Sequence, residues 1–126
     1  PGDEKEPIGR RIIEPPDNLE QFVSRDTRAS FTAYVPPGSI ARGRTLATGG
    51  DPRVNACGPC HGQDLKGSGM IPGIAGRSPS YIVRQLWDFK HGARDGMMAI
   101  QMKPTVARLE LDDMIALAAY VASLTP

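Results

Sequence analysis

Three features of this 126-residue chain predict an all-α fold of short helices. Several segments carry apolar residues at helical spacing with cap signals at their ends, no segment alternates apolar and polar residues over a useful length, and both cysteines fall in one short motif. Length and a hydrophobic content of 40% suit one compact domain. Aromatic residues make up only 6%, which leaves the core thin for the chain length. Net charge is +1, so no strong field develops and nucleic-acid binding has no support. No apolar run approaches a membrane span. The greasiest stretch, 114–124, is interrupted by alanines and a tyrosine and reads as amphipathic. The first residues carry no signal-peptide pattern, and a leader or anchor removed earlier is compatible with that.

The chain divides at residues 37 and 38. Residues 1–37 are rich in charge and proline, with Pro15-Pro16 and Pro36-Pro37, and form an N-terminal extension. Ile12, Ile13, Leu19, Phe22, Phe31, Tyr34 and Val35 are too many apolar residues for a free tail. We expect a mostly irregular arm partly packed on the domain, with one helical turn near 18–22 and extended backbone near 31–35. The first handful of residues reads as linker. Residues 38–126 read as helices joined by loops. Ser39 is the predicted cap of a helix running to Thr48, where Gly49-Gly50 stops it. Ser78 caps a second helix with Pro79 at its first position and Gly92 at its end. Its apolar stripe is Ile82, Val83, Leu86, Trp87 and Phe89. The last helix covers 111–124, with Asp112 and Asp113 in the first turn and Leu111, Met114, Ile115, Leu117, Ala118 and Val121 as its apolar face.

The chemistry sits in Cys57-Gly58-Pro59-Cys60-His61. Two thioether bonds to neighbouring vinyl groups fit cysteines three apart on one turn, and the histidine that follows supplies an imidazole to the iron of a covalently attached haem. A porphyrin would also supply apolar mass that the sequence lacks. Three other readings compete. A thioredoxin-like pair needs a βαβ setting, which is not visible. A zinc site needs four ligands, and only His91 remains as an obvious extra. A chance motif round a structural disulfide is the third.

Over residues 38–126 the sequence resembles the class I cytochromes c, most closely the bacterial cytochrome c4 and c553-like monohaem domains. The matching pieces stand in order: Gly43-Arg44-Thr45-Leu46, Cys57 to Gly62, Ile71-Pro72-Gly73-Ile74-Ala75-Gly76, Tyr81-Ile82-Val83-Arg84-Gln85-Leu86, Gly92-Ala93-Arg94, and Asp113-Met114-Ile115-Ala116-Leu117-Ala118-Ala119-Tyr120. Residues 1–37 have no counterpart in the minimal domain, and 49–56 form an extra loop before the haem cysteines. The resemblance implies crossing first and last helices, with Gly43 against Leu117 and Tyr120. Glu110 stands where the family often caps its last helix with Ser or Thr, so that start is expected to be weaker.

The resemblance also implies a methionine as second axial ligand. Met114 lies in a helix face, and Met70 follows His61 too soon to reach the opposite haem face. Met97, Met98 and Met102 share the loop before the last helix. Met102-Lys103-Pro104 matches the family's Met-x-Pro, and Tyr120 follows 18 residues after Met102, as the family tyrosine does. Met102 is therefore the expected ligand, ahead of Met98 and then Met97. Adaptable haem-edge packing is the expected role of the others. The Pro72 carbonyl is the implied acceptor for the Nδ1 proton of His61. Arg77, Tyr81, Trp87 and Arg94 are candidates for the propionates, with Tyr81 and Trp87 as readily core residues. His91 is expected as an exposed side chain at a helix end, and Lys66, Lys90 and Lys103 as docking charges or plain solvated surface.

With two propionates the net charge falls to about −1. The function implied is single-electron transfer through one His/Met-ligated haem c. The chain would be a periplasmic carrier, or the electron-transfer subunit of a larger oxidoreductase, not itself an enzyme. Partners would be redox proteins such as a dehydrogenase, a reductase or a terminal oxidase. The competing functions are a haem enzyme or gas-binding sensor with an open sixth site, and, more remotely, a structural module without haem.

Overall fold

The computed structural model describes residues 9–126; the linker expected in the first handful of residues lies outside them. Helix α1 (Leu19–Val23) lies in the arm. The domain follows with α2 (Ser39–Ala47), α3 (Gly58–His61), strands β1 (Gly67–Ser68) and β2 (Ile71–Pro72), α4 (Pro79–His91), a 3-10 helix (Met97–Gln101), α5 (Lys103–Val106) and α6 (Leu111–Ser123). The two strands pair antiparallel, Gly67 with Pro72 and Ser68 with Ile71, as a single tight turn.

Helices α2 and α4 both pack on α6. The α2–α6 crossing depends on Gly43. A Cβ there would lie 1.8 Å from the carbonyl oxygen of Ala116 and 2.8 Å from Cβ of Tyr120, so only a residue without a side chain admits so close a backbone. The contact falls on Ala116 and Tyr120, with Ala116 taking the place predicted for Leu117. One core cluster gathers Leu46, Val54, Val106, Leu109, Met114 and Leu117; a second joins Leu65, Ala75 and Ile82 to Ala118 and Val121 of α6. Leu111, predicted for the apolar face of α6, is about half exposed, whereas Met114 in the same turn is wholly enclosed.

The helix ends correct two expectations. Gly38, in the left-handed region at φ 78°, is the N-cap of α2, and Ser39 lies inside the helix. The Ser39 hydroxyl instead donates to the Pro36 carbonyl at 2.6 Å and closes the turn that enters the helix. Glu110, read as a weak start, forms a reciprocal capping box. Its side chain accepts from the Asp113 backbone, and the Asp113 carboxylate accepts from the Glu110 N–H at 2.9 Å. At α4 the Ser78 hydroxyl accepts from the Tyr81 N–H and Gly92 closes the other end.

The arm is folded. Ile13 and Tyr34 exchange backbone hydrogen bonds of 3.0 and 2.8 Å, and Pro16 bridges Phe31. Asn18 caps α1 by accepting from the Gln21 N–H. Three contacts bring the arm to the domain: Arg10 with Asp112 of α6, the Ser78 hydroxyl with Glu14 at 2.9 Å, and Ile12 against the second core cluster.

Candidate functional site

Helix α3 is one turn, and its residues carry the motif. Cys57 stands at its N-cap, where its carbonyl accepts from the N–H groups of Cys60 at 3.3 Å and His61 at 2.9 Å. The Cys57 N–H donates to the Ala47 carbonyl at 2.9 Å, which fixes the motif to the end of α2. Cys57 is half-buried and touches both core clusters, whereas Cys60 is exposed. The two thiols are not joined in a disulfide. Burial, with a smaller contribution from Cys60, pushes the Cys57 thiol up to about 11. Among the described residues the strands form one antiparallel turn and no βαβ unit surrounds the motif, so the thioredoxin-like reading finds no setting. Among the described residues no group of three or more His, Cys, Asp or Glu side chains gathers as a metal site, so the zinc reading finds no further ligands.

His61 is buried, and its Nδ1 lies 2.7 Å from the Pro72 carbonyl oxygen. A carbonyl only accepts, so Nδ1 carries the proton and Nε2 keeps its lone pair. The β1–β2 turn sets this bond by placing Pro72 opposite Gly67. Gly67 has φ 104°, and a Cβ on it would come within 2.9 Å of the Gly73 nitrogen, so the turn closes only around glycine.

The methionines separate by burial. Met97 and Met70 are almost fully exposed at 88% and 87%, Met98 is 53% exposed, and Met114 is wholly enclosed in the core. Met102 stands between these extremes: half-buried, at the junction of the 3-10 helix and α5, with Pro104 in the first turn that follows. It packs against the same core cluster as Cys57, Leu86 and Phe89. The chain thus brings together, around one cluster, a thiol of the motif and one thioether of the loop. The donor set fits a covalently bound haem: two unpaired thiols on one turn, an imidazole with its tautomer set, and a soft thioether.

The other predicted residues are dispersed. Arg77 donates from Nε to the Gly73 carbonyl at 3.4 Å, beside the His61 turn. Tyr81 is half exposed. Trp87 is not part of the core stripe of α4; it is 44% exposed and stacks on His91 with ring centroids 4.0 Å apart. Helical geometry explains the change: Ile82, Leu86 and Phe89 share the face toward α6, and Trp87 falls outside it. Arg94 donates to Gln85 at 2.7 Å and lies over the Phe89 ring. Lys90 donates to the Leu109 carbonyl and Lys103 pairs with Asp95, so neither is a free surface charge; Lys66 is exposed.

One polar centre went unread in the sequence. Asp113 is buried, with Arg42 of α2 and Arg53 of the 49–56 loop on its carboxylate. Burial raises its pKa, but the Glu110 N–H and then the two arginines outweigh this and hold the carboxyl below its usual range. Arg53 also grips Asp51 at 2.7 Å. The extra loop is therefore fastened to α6 four residues before Cys57. Its only sequence signal is an acid at the third position of a helix.

Comparison with known proteins shows the family. Residues 40–125 match the family model described as cytochrome c. Cytochrome c4 of Azotobacter vinelandii is 31% identical over 131 residues, covering 92% of this chain and 62% of that one. The cytochrome subunit of sulfide dehydrogenase of Chlorobaculum tepidum is 42% identical over 60 residues, 48% of each chain. The crystal structure of reduced recombinant cytochrome c4 from Pseudomonas stutzeri superposes with a TM-score of 0.64 at 32% identity, covering 73% of this chain and 51% of that one. This chain thus spans about half to three-fifths of the length of these relatives.

Proposed function

We propose that this chain, a member of the cytochrome c family, transfers electrons through covalently bound haem c and that Cys57, Cys60, His61 and Met102 would hold a single haem. The observation that carries this reading is the 2.7 Å bond from His61 to Pro72, which presents Nε2 rather than Nδ1 as the free donor. The haem supplies a one-electron Fe(III)/Fe(II) couple. The residues do the rest. His61 and Met102 would hold the iron from the protein side and leave no position for a substrate, which suits a carrier rather than a catalyst. The Met102 thioether favours the ferrous state and raises the potential relative to a second histidine. Arg77, Tyr81, Trp87 and Arg94 remain candidates for the propionates. Arg77 is favoured by its place beside the turn that holds His61, whereas Trp87 and Arg94 are engaged with His91 and with Gln85 and Phe89.

We place the protein in the periplasm, as a carrier or as the electron-transfer subunit of a larger oxidoreductase. The similarity to a sulfide dehydrogenase subunit supports the second role, as does the folded arm, which a free shuttle does not need. Partners are then redox proteins, a dehydrogenase first among them. No helix among the described residues is long and apolar enough to cross a membrane. Intact mass under denaturing conditions tests the site. The chain matured with cytochrome c assembly factors gains the mass of one haem that acid–acetone does not extract. Extractable haem overturns covalent attachment, and a high-spin ferric spectrum overturns the six-coordinate reading in favour of an open sixth site.

A further inference from the structure

Helix α1 has no buried residue, although three of its five side chains are large and apolar. Leu19 is 68% exposed, Phe22 50% and Val23 71%, and Phe31 of the facing arm segment, edge-on to Phe22 at 6.0 Å between ring centroids, is 51% exposed. The backbone beneath them is held by the Asn18 cap, the Ile13–Tyr34 pair and the bond from the Thr32 hydroxyl to Asp17 at 2.6 Å. A fixed element that presents its apolar face outward is a partner surface.

We propose that this face binds a second copy of the chain, the two α1 helices lying antiparallel across a two-fold axis near Phe22. Charge selects this occupant. The whole arm carries five cations and seven acids, a net charge of −2 that repels an anionic bilayer, while residues 9–37 balance four arginines (10, 11, 25, 28) against four acids (14, 17, 20, 26), so the charges around this face suit a partner of mixed sign. Glu20 lies in the first turn of α1, and Arg25 lies just past its last. Among the described residues neither side chain has an ion-pair partner. Antiparallel packing sets Glu20 of each copy against Arg25 of the other, twice, around an apolar centre, which is the self-complementarity an isologous interface requires. The four apolar residues expose roughly 400 Å², about half of the ~800 Å² per partner in a standard interface, in keeping with an interface only slightly more than half apolar.

Sedimentation equilibrium of the haem-loaded chain tests the proposal. A reversible, concentration-dependent dimer is expected. Phe22→Ser raises its dissociation constant roughly thirtyfold, as truncating a central aromatic does. Glu20→Arg and Arg25→Glu each weaken the dimer by setting like charges face to face, and the double variant restores it. Because the double variant keeps every residue type and the apolar centre, its recovery separates pairing across the axis from damage to the arm. A chain that stays monomeric to about 1 mM overturns the proposal and leaves the face to a different protein. So does a dimer indifferent to Phe22→Ser, or a double variant as weak as the singles.

Discussion

Two side chains concentrate the energetics at the scale of single residues. Met102 is the loop methionine that the core half encloses. Met102→Ala should remove the far-red sulfur-to-iron band of the ferric protein, lower the potential and open the iron to carbon monoxide or cyanide, whereas Met98→Ala should keep the band. Absorption spectra and a redox titration separate the two. Asp113 carries a different load, as both capping partner and buried anion. Its carboxyl sits lower in the folded protein than in the unfolded chain, so its stabilisation is complete above the unfolded value of about 3.9 and is lost as pH falls through the lower folded one. Asp113→Asn should cost about 2 kcal/mol at neutral pH, less than a fully buried broken pair because Arg42 and Arg53 remain partly solvated. It should also flatten the acid limb of the stability curve below about pH 4, as chemical denaturation at stepped pH would reveal. The sequence made Cys57, Cys60 and His61 legible because covalent chemistry fixes their spacing. Asp113 was not legible, since its arginines lie 71 and 60 residues away and no local pattern announces them.

At the scale of elements, helices long enough to repeat their period were readable: α4 and α6 begin and end within a residue of expectation. The pieces that shape the site were not. The β1–β2 turn, the 3-10 helix and α5 have two, two, five and four residues in their segments, too short for any periodicity. Caps failed where a backbone conformation or a reciprocal pair decided the outcome, at Gly38 and Glu110. Trp87 was misassigned because one stripe on a helical wheel does not reveal where the neighbouring helix stops. The α2–α6 crossing makes a sharp test. Replacing glycine by alanine in an exposed helix interior gains close to 1 kcal/mol, but Gly43→Ala forces a methyl into the Ala116 carbonyl and should instead lose about 3 kcal/mol or more. Thermal melts of the two proteins decide the sign.

For the molecule as a whole, the arm and the domain form one body wherever the chain is described. Arg10 and Glu14 reach the starts of two helices, α6 and α4, and Ile12 enters the core. Limited proteolysis of the native protein should therefore spare Arg11, whereas cutting there at the rate of an unfolded peptide would mean that the arm detaches. Arg10 meets a partner 102 residues later in the chain. That separation orders events at the ribosome. The arm emerges before every helix of the domain, yet the surfaces that receive it, Asp112, Ala118 and Val121, are among the last segments translated. Until then only Ser78 and the early members of the second cluster are there to hold it. The arm thus comes to rest only after α6 has formed.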